Sequence, residues 1–449
     1  MCGISAIYGN DLKDGESMVR ESLAKVTHRG YSLYETASLG KCALGANRLE
    51  IVDASNGRQP QANEDGSVYA VFNGEIYNHA SLRDDLSGKG HRFRTGTDTE
   101  VLVHLWEEYG AGMAERIDSE MFAFFIYDRK KDSFCAARDP YGVKPLCYAV
   151  DGSGNHHFAS EIKQLAQFGQ IEEIKQFPPG HLMVDGVLKR YHTIPQADGA
   201  GYGGSAGIIL RLRALFDEAV KKRADTDLPL GVFFSGGLDS ASVLATALKY
   251  NKDVTAITIG KPGSPDILMA ERYCDEFGID MVSADPPDAE RLSEMLPEIV
   301  RITESFEPVV VRQAAVSYFM AELAKKNGFR VVLCGEGSDE LFAGYDVFRQ
   351  AGGERGVSLW IPEFIAGLPR TQFQRVDRTS MFHTIETRLP FFDTDFADYA
   401  IGIPAGLKLK QEDGRKTHKW ILRRAMEDRL PDYIIGREKL ALSQGAGYH

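Results

Sequence analysis

Hydrophobic and polar positions change rhythm once along this chain of 449 residues. Early on, short apolar runs alternate with turns: Ile4, Ala6 and Ile7, then Tyr69–Phe72, then Met121–Tyr127. Runs of this length bounded by turn residues predict strands, with few helices between them. One helix is clear, because Leu102, Leu105, Trp106 and Tyr109 recur at helical spacing. Thr97 and Glu100 make a capping-box pattern ahead of it, and Gly110 is the expected stop. Residues 194–207 are dense in glycine and lack apolar periodicity, which predicts a linker. Beyond it the order becomes strand, loop, helix, strand. Buried-strand runs stand at Leu230–Phe234, Thr255–Ile259 and Arg330–Leu333, and Ala241–Lys249 reads as a helix. Val316, Phe319, Met320 and Leu323 share one face of another helix that Gly328 ends. This alternation predicts a parallel sheet covered by helices, whose ligands bind at the carboxyl ends of strands.

Length adds a domain count. At roughly 100–200 residues per domain, the chain needs at least two. The expected division is 1–193, a linker at 194–207, and 208–449. Hydrophobic content of 43%, charged content of 26% and a mean hydropathy of -0.26 describe a folded, water-compatible chain. No apolar run nears the ~20 residues of a membrane span, and Met1-Cys2-Gly3 has no basic region before an apolar one, so a cytoplasmic location without a membrane partner is expected. The net charge of -12 argues against a nucleic-acid partner, since binding to phosphates rests on clustered Lys and Arg. Cysteines at 2, 42, 135, 147, 274 and 334 never form a C-x-x-C pair. They suggest neither a zinc site nor a disulfide framework, and they fit a reducing compartment.

Cys2 carries the first candidate chemistry. Removal of Met1, expected because the residue it exposes is small, would leave a thiol and an α-amino group on one residue. An amine with a reference pKa of about 8 can take the thiol proton, making a self-contained nucleophile and base. A cysteine near a start codon is unremarkable by itself, but the apolar strand after it carries the terminus inward, and free ends normally fray.

Two loops follow buried strands. Ser235-Gly236-Gly237-Leu238-Asp239-Ser240 precedes a helix. Its glycines let backbone N–H groups turn toward an anion, the helix start adds its positive end, and two hydroxyls stand by. The lysine of a G-x-x-x-x-G-K-[ST] loop is missing, so terminal phosphoryl transfer is not expected. Cys334-Gly335-Glu336-Gly337-Ser338-Asp339-Glu340 packs three carboxylates into five residues. Asp239 and Asp339 are candidate magnesium ligands beside substrate phosphates, with Glu336 left as a base. In the first half, Asn73-Gly74-Glu75 and Asp98 suit the ammonium end of an amino acid, and Arg48 suits its carboxylate by a bidentate pair.

Taken together these residues resemble a glutamine-dependent asparagine synthetase, from residue 2 to about 447 and in the family's domain order. Cys2-Gly3-Ile4, His28-Arg29-Gly30, Asn73 to Asn78, Arg138-Asp139 with Gly142 and Lys144-Pro145-Leu146, Ser235 to Ser240, Pro262 to Asp266 and Gly335 to Glu340 carry the resemblance. It implies a four-layered αββα glutaminase of the N-terminal nucleophile class, followed by an α/β parallel-sheet domain of the adenine-nucleotide α-hydrolase (PP-loop) type. By the same resemblance Cys2 forms a γ-glutamyl thioester and releases ammonia, which travels inside the protein. Arg48, Asn73, Gly74, Glu75 and Asp98 hold glutamine, with Asn73 and the Gly74 N–H as oxyanion donors. In the second domain an acceptor carboxylate attacks the α-phosphate of ATP and pyrophosphate leaves. The implied ATP residues are Phe233, Ser235, Gly236, Gly237, Asp239, Ser240, Ile259, Gly260 and Ser338. Asp239 and Asp339 hold Mg2+, Glu336 is the base for ammonia, and Lys439 steadies charge on the adenylate. Arg388, in Glu386 to Phe391, is expected to help close the site. Partners expected are glutamine, ATP, a carboxylate acceptor (aspartate by default) and a second copy of the chain.

Three departures stand out, the first bearing on how the glutaminase loop is shaped or triggered and the other two on the acceptor. Tyr31-Ser32 stand where the family usually has Pro-Asp after His-Arg-Gly, the chain stops at His449 soon after Lys439, and Gln444 and Ala446 replace the usual Asp and Val. An amidotransferase acting on another carboxylate in a specialised biosynthetic pathway is the alternative, or an amide former related to β-lactam synthetase, although those relatives tend to lose the N-terminal Cys. A non-enzymatic nucleotide- or glutamine-sensing regulator would fit the fold but not the intact chemistry.

Overall fold

Strand Gly3–Tyr8 runs through the middle of a six-stranded antiparallel sheet, paired with Cys42–Asn47 on one side and His156–Ala159 on the other. A second six-stranded antiparallel sheet centres on Phe122–Asp128, between Val68–Gly74 and Ser133–Arg138. The computed structural model describes residues 1–449 except 11, 13, 31–34, 54–55, 198, 200, 413–414, 440–444 and 446–449. It divides into two compact units, Met1–Thr193 and Ile194–His449.

Alternation along Phe122–Asp128 explains the layering of the first unit. Ala123, Phe125 and Tyr127 join Cys2, Ile4, Ala6, Leu44 and Phe158 in the core between the sheets. Phe122, Phe124 and Ile126 point the opposite way, where Leu82 and Leu86 of helix His79–Gly88 and Val101, Leu105 and Trp106 of helix Glu100–Tyr109 cover them. Both faces are buried, so the strand reads as one continuous apolar run. On the far face of the other sheet, Val19 and Leu23 of helix Gly15–Ala24 pack on Ile7 and Ala43. The layers are helix, sheet, sheet, helix. Each buried Phe side chain contributes about 1.5–3 kcal/mol to that stacking.

Helix Glu100–Tyr109 ends at Gly110 with φ 51°, as its pattern predicts. The capping box does not form. Glu100 is buried and accepts from the backbone N–H groups of Arg94 and Thr95, both at 2.7 Å, and from Thr95 Oγ1 at 2.6 Å. Thr97 Oγ1 meets Thr95 Oγ1 instead. The preceding loop folds back on Glu100, and that occupies the carboxylate the box would need.

The second unit holds a five-stranded parallel sheet in the order Met281–Ala284, Val254–Ile259, Leu230–Phe233, Val331–Leu333, Glu386–Arg388. Helix Ser205–Ala224 starts inside the stretch expected to be a linker, so irregular chain ends at Gly204; Asp198 and Ala200 of that stretch lie outside the described residues. Helix Leu238–Ala247 begins earlier than its apolar pattern suggests, because Gly237 leads directly into it. Helix Pro308–Lys326 buries Val316, Phe319 and Met320 against Ile259 and Ile302, and Gly328 follows with φ 83°. From Leu230–Phe233 the chain builds outward in one direction and then returns to add Val331–Leu333 on the other side. The switch point therefore falls between the loops after these two strands, where open α/β sheets bind ligands. Among the described residues no helix is long and apolar enough to cross a membrane.

Candidate active sites

The Cys2 thiol is buried at the end of the central strand of its sheet. Arg29, fully buried, fixes this terminus: its Nε donates to the Cys2 carbonyl at 3.1 Å, and its Nη1 pairs with Glu161 at 2.8 Å. Gly30 follows because a Cβ there would stand 2.6 Å from the Arg48 carbonyl oxygen. The Cys2 nitrogen donates to Asn73 Oδ1 at 3.0 Å. Asn73 Nδ2 is buried with no hydrogen-bond partner, a donor free for an oxygen that develops negative charge. Gly74 has φ 155°, and a Cβ on it would lie 2.2 Å from the Met121 carbonyl oxygen, so only glycine carries the chain past that point. Burial pushes the Cys2 thiol above its usual range, and the terminal ammonium one residue away opposes the rise. A thiol so placed needs a base beside it.

Glu75 and Asp98 are buried nearby in the fold, with Asp98 Oδ2 accepting from the Ile76 N–H at 3.0 Å. Arg48 donates through Nη2 to the carbonyls of Val52 and Asp53 at 2.6 and 2.8 Å. Gln59 went unnoticed in the sequence. Its Nε2 stands 3.6 Å from the Cys2 sulfur while its Oε1 accepts from the Phe72 N–H at 2.7 Å. A lone Gln in a polar stretch carries no signal of such a position.

In the second unit the two loops at the switch point touch. A Cβ on Gly335 would sit 2.9 Å from the Ser240 nitrogen, so glycine is what allows the approach. Gly236 has φ 64° and faces Met269, and Ser235 Oγ lies 3.3 Å from Ser240 Oγ. Ser338 Oγ donates to Asp239 Oδ1 at 2.7 Å. The Lys419 ammonium bridges Asp239 Oδ2 at 2.6 Å and Asp339 Oδ1 at 2.7 Å, and Lys439 also pairs with Asp339. Burial works to raise the Asp339 carboxyl, but the two ammonium groups override it and hold it below the carboxylate range. Burial and the charges of Asp339 and Glu336 push Glu340 the other way, up to about 7. Glu336 pairs with Arg375 at 2.6 Å. Phe233 and Ile259 belong to one apolar cluster, and Gly260 follows where a Cβ would strike Ile267.

Other residues named from the sequence make ties within the fold. Arg388 is buried and donates to Glu386 Oε1 at 2.7 Å and to the Arg223 carbonyl at 2.8 Å, tying its strand to helix Ser205–Ala224. Arg138 and Asp139 knot a turn: Asp139 accepts from the N–H groups of residues 141–144, and Arg138 donates to the carbonyls of Gly142, Lys144 and Phe177. Tyr31-Ser32, Gln444 and Ala446 lie outside the described residues. Lys419 was missed, since one lysine before an aromatic residue has no pattern.

A buried thiol beside an unpartnered amide donor in one unit and a glycine-bearing loop with paired carboxylates in the other are separate arrangements. A family model described as a glutamine amidotransferase domain matches residues 1–191, and one described as asparagine synthase matches residues 211–374 and 363–449. The chain is therefore a glutamine amidotransferase of the asparagine synthase type, and these matches imply glutamine and ATP as substrates. Asparagine synthetase [glutamine-hydrolyzing] 2 of Arabidopsis thaliana is 34% identical over 475 residues, covering all of this chain and 79% of that protein. Asparagine synthetase [glutamine-hydrolyzing] of Sandersonia aurantiaca is 34% identical over 471 residues, with 100% and 87% covered. The chain belongs to the glutamine-hydrolysing asparagine synthetase family. Among solved structures, glutamine phosphoribosylpyrophosphate amidotransferase from B. subtilis aligns over 74% of this chain and 81% of its own at 17% identity and TM-score 0.36, too distant to bear on activity.

Proposed function

We propose that the protein makes asparagine from aspartate: aspartate, ATP, glutamine and water give asparagine, AMP, pyrophosphate and glutamate. The observation that carries the synthetic half is the meeting of Asp239 and Asp339 on one ammonium at the switch point of the sheet. The choice of aspartate draws on likeness, along the whole chain, to relatives named as asparagine synthetases.

In the first unit, loss of Met1 turns the Cys2 nitrogen into an amine that takes the thiol proton. The sulfur attacks the glutamine side-chain amide, and Asn73 Nδ2 with the Gly74 N–H stabilise the oxyanion. Ammonia leaves, and water releases glutamate from the thioester. Arg48, Glu75 and Asp98 hold the amino-acid end of glutamine.

In the second unit the Ser235–Ser240 loop receives the phosphates, Ser338 keeps Asp239 in place, and Phe233, Ile259 and Gly260 line the nucleoside. The donor set fits magnesium, because two carboxylates from separate loops already converge on a cation, and this ion takes one or two carboxylates plus phosphate oxygens. Asp239 and Asp339 would hold it, and it would offset phosphate charge and favour departure of pyrophosphate. Glu336 receives the proton ammonia loses on attacking the acyl-adenylate, and Lys439 steadies charge there. A reducing cytoplasm belongs to the reading, as none of the six cysteines is in a disulfide. A homodimer also belongs to it, to be read by sedimentation.

The test is pyrophosphate release from ATP with glutamine present, with and without aspartate, following AMP and asparagine by mass spectrometry. Asparagine formed in step with AMP is expected. Glutamine hydrolysis without aspartate-dependent pyrophosphate would reject aspartate and call for a screen of other carboxylates.

A further inference from the structure

Away from the cysteines, three segments of the first unit converge on a cluster with no part in either site. Glu64 lies in the turn between strands Gln61–Ala62 and Val68–Gly74, His91 follows helix His79–Gly88, and His104 and Glu107 are one turn apart on helix Glu100–Tyr109. Their four nearest ligand atoms lie within 4.8 Å of one another. His91 Nδ1 is 3.4 Å from Glu64 Oε1 and 3.7 Å from Glu107 Oε2, and His104 Nδ1 is 3.6 Å from both Glu64 Oε2 and Glu107 Oε2. A tetrahedral zinc with bonds of about 2.0–2.1 Å separates its ligands by roughly 3.3–3.5 Å. The cluster has nearly that spacing already.

His104 points to a ligand independently of the spacing. Its side chain is 0% exposed, yet neither ring nitrogen has a hydrogen-bond partner among the described residues. Glu107 Oε2 is likewise buried without one. The opposite ends of the side chains, by contrast, are tied. Glu107 Oε1 accepts from Asn63 Nδ2 at 2.9 Å and His91 Nε2 contacts Glu108 Oε1 at 3.2 Å, while Glu64 Oε1, which faces His91, is steadied by the Arg92 N–H at 2.6 Å. His104 Nε2 faces Glu100 Oε1 at 4.0 Å. Both imidazoles thus turn Nδ1 inward, and His91 also sets Nε2 on a carboxylate, the outer partner that metal-bound histidines adopt to fix their tautomer.

We propose that Glu64, His91, His104 and Glu107 form a binding site for a divalent first-row transition ion, zinc above others. Two neutral imidazoles and two carboxylates balance a 2+ ion, and imidazole donors favour zinc over magnesium or calcium. Four protein ligands make a closed, structural site rather than a catalytic one. The ion would staple the hairpin turn and the end of one helix to the helix that begins two residues after Asp98, stiffening the rear of the proposed glutamine pocket.

The test uses the full-length, untagged protein, stripped with a chelator and dialysed, with zinc chloride as the probe. Elemental analysis should find about one zinc per chain, zinc should raise the melting temperature, and cobalt should give the visible absorption of a tetrahedral site. His91→Gln and Glu64→Gln, at partly exposed positions, should each lower zinc affinity at least tenfold and abolish the melting shift; His104→Gln is the less useful variant, because its buried ring can be needed for folding. Glu108→Gln should weaken binding by about 10–100-fold through His91. Absence of retained zinc and of any melting shift in the unsubstituted protein would overturn the proposal, as would variants that hold zinc as tightly as it does.

Discussion

The Cys2 nitrogen donates to Asn73 Oδ1 at 3.0 Å, and the same amide keeps its Nδ2 buried and unpartnered. In the proposed reaction one side chain thereby orients the nucleophile's residue and holds a donor ready for the oxyanion. Asn73→Ala should lower glutaminase turnover by about 10²–10³-fold, the usual cost of one oxyanion donor. Ammonium-driven synthesis should stay within twofold, measured as asparagine formed from ammonium salts.

Cys2→Ala should abolish glutamine-dependent synthesis and leave synthesis from ammonium salts intact. Loss of both activities would contradict the division of labour between the units. Retention of Met1, detected by intact mass, should likewise suppress only the glutamine-dependent reaction.

Lys419→Met should remove the cation that holds Asp239 and Asp339 together. ATP–pyrophosphate exchange should fall at least a hundredfold while glutamine hydrolysis persists. A variant with unchanged exchange would show that Lys439 alone suffices.

Much of this was legible in the chain, and the illegible parts share a cause. Strand and helix runs such as Leu230–Phe233 and Pro308–Lys326 announce themselves because burial imposes a period. The loops around Gly236 and Gly335 were legible because only glycine tolerates their turns and close approach. Gln59, Lys419 and Arg375 were not, since each gains its role from a partner far away in sequence. The bond from Arg388 to the Arg223 carbonyl was equally illegible, since it joins residues far apart in sequence. The failed capping box shows a local rule losing to a loop that reached Glu100 first.

Gly335→Ala should separate the two loops, as its Cβ would lie 2.9 Å from the Ser240 nitrogen. A raised KM for ATP of tenfold or more is expected, with glutamine hydrolysis unaffected.

Glu340 gives a pH dependence whose sign is fixed by its raised pKa. Burial, with Asp339 and Glu336 adding to it, moves the folded-state value from 4.5 up to about 7, so the folded protein holds a proton that the unfolded chain releases. That stabilisation is complete below about pH 4.5 and is lost as pH rises through about 7. Glu340→Gln keeps the shape and removes the titration. Denaturation curves at pH 5 and pH 8 should show the unsubstituted protein losing stability relative to the variant across that interval; parallel profiles would contradict the assignment.

In the proposed reaction the glutamine amide nitrogen ends in a product built with ATP. Glutamine labelled with ¹⁵N at the amide, incubated with the protein, aspartate and ATP, tests it by mass spectrometry of the product. Labelled asparagine, one per AMP formed, is the predicted result. Labelled ammonia accumulating beside unamidated aspartate, with ATP unconsumed, would contradict it.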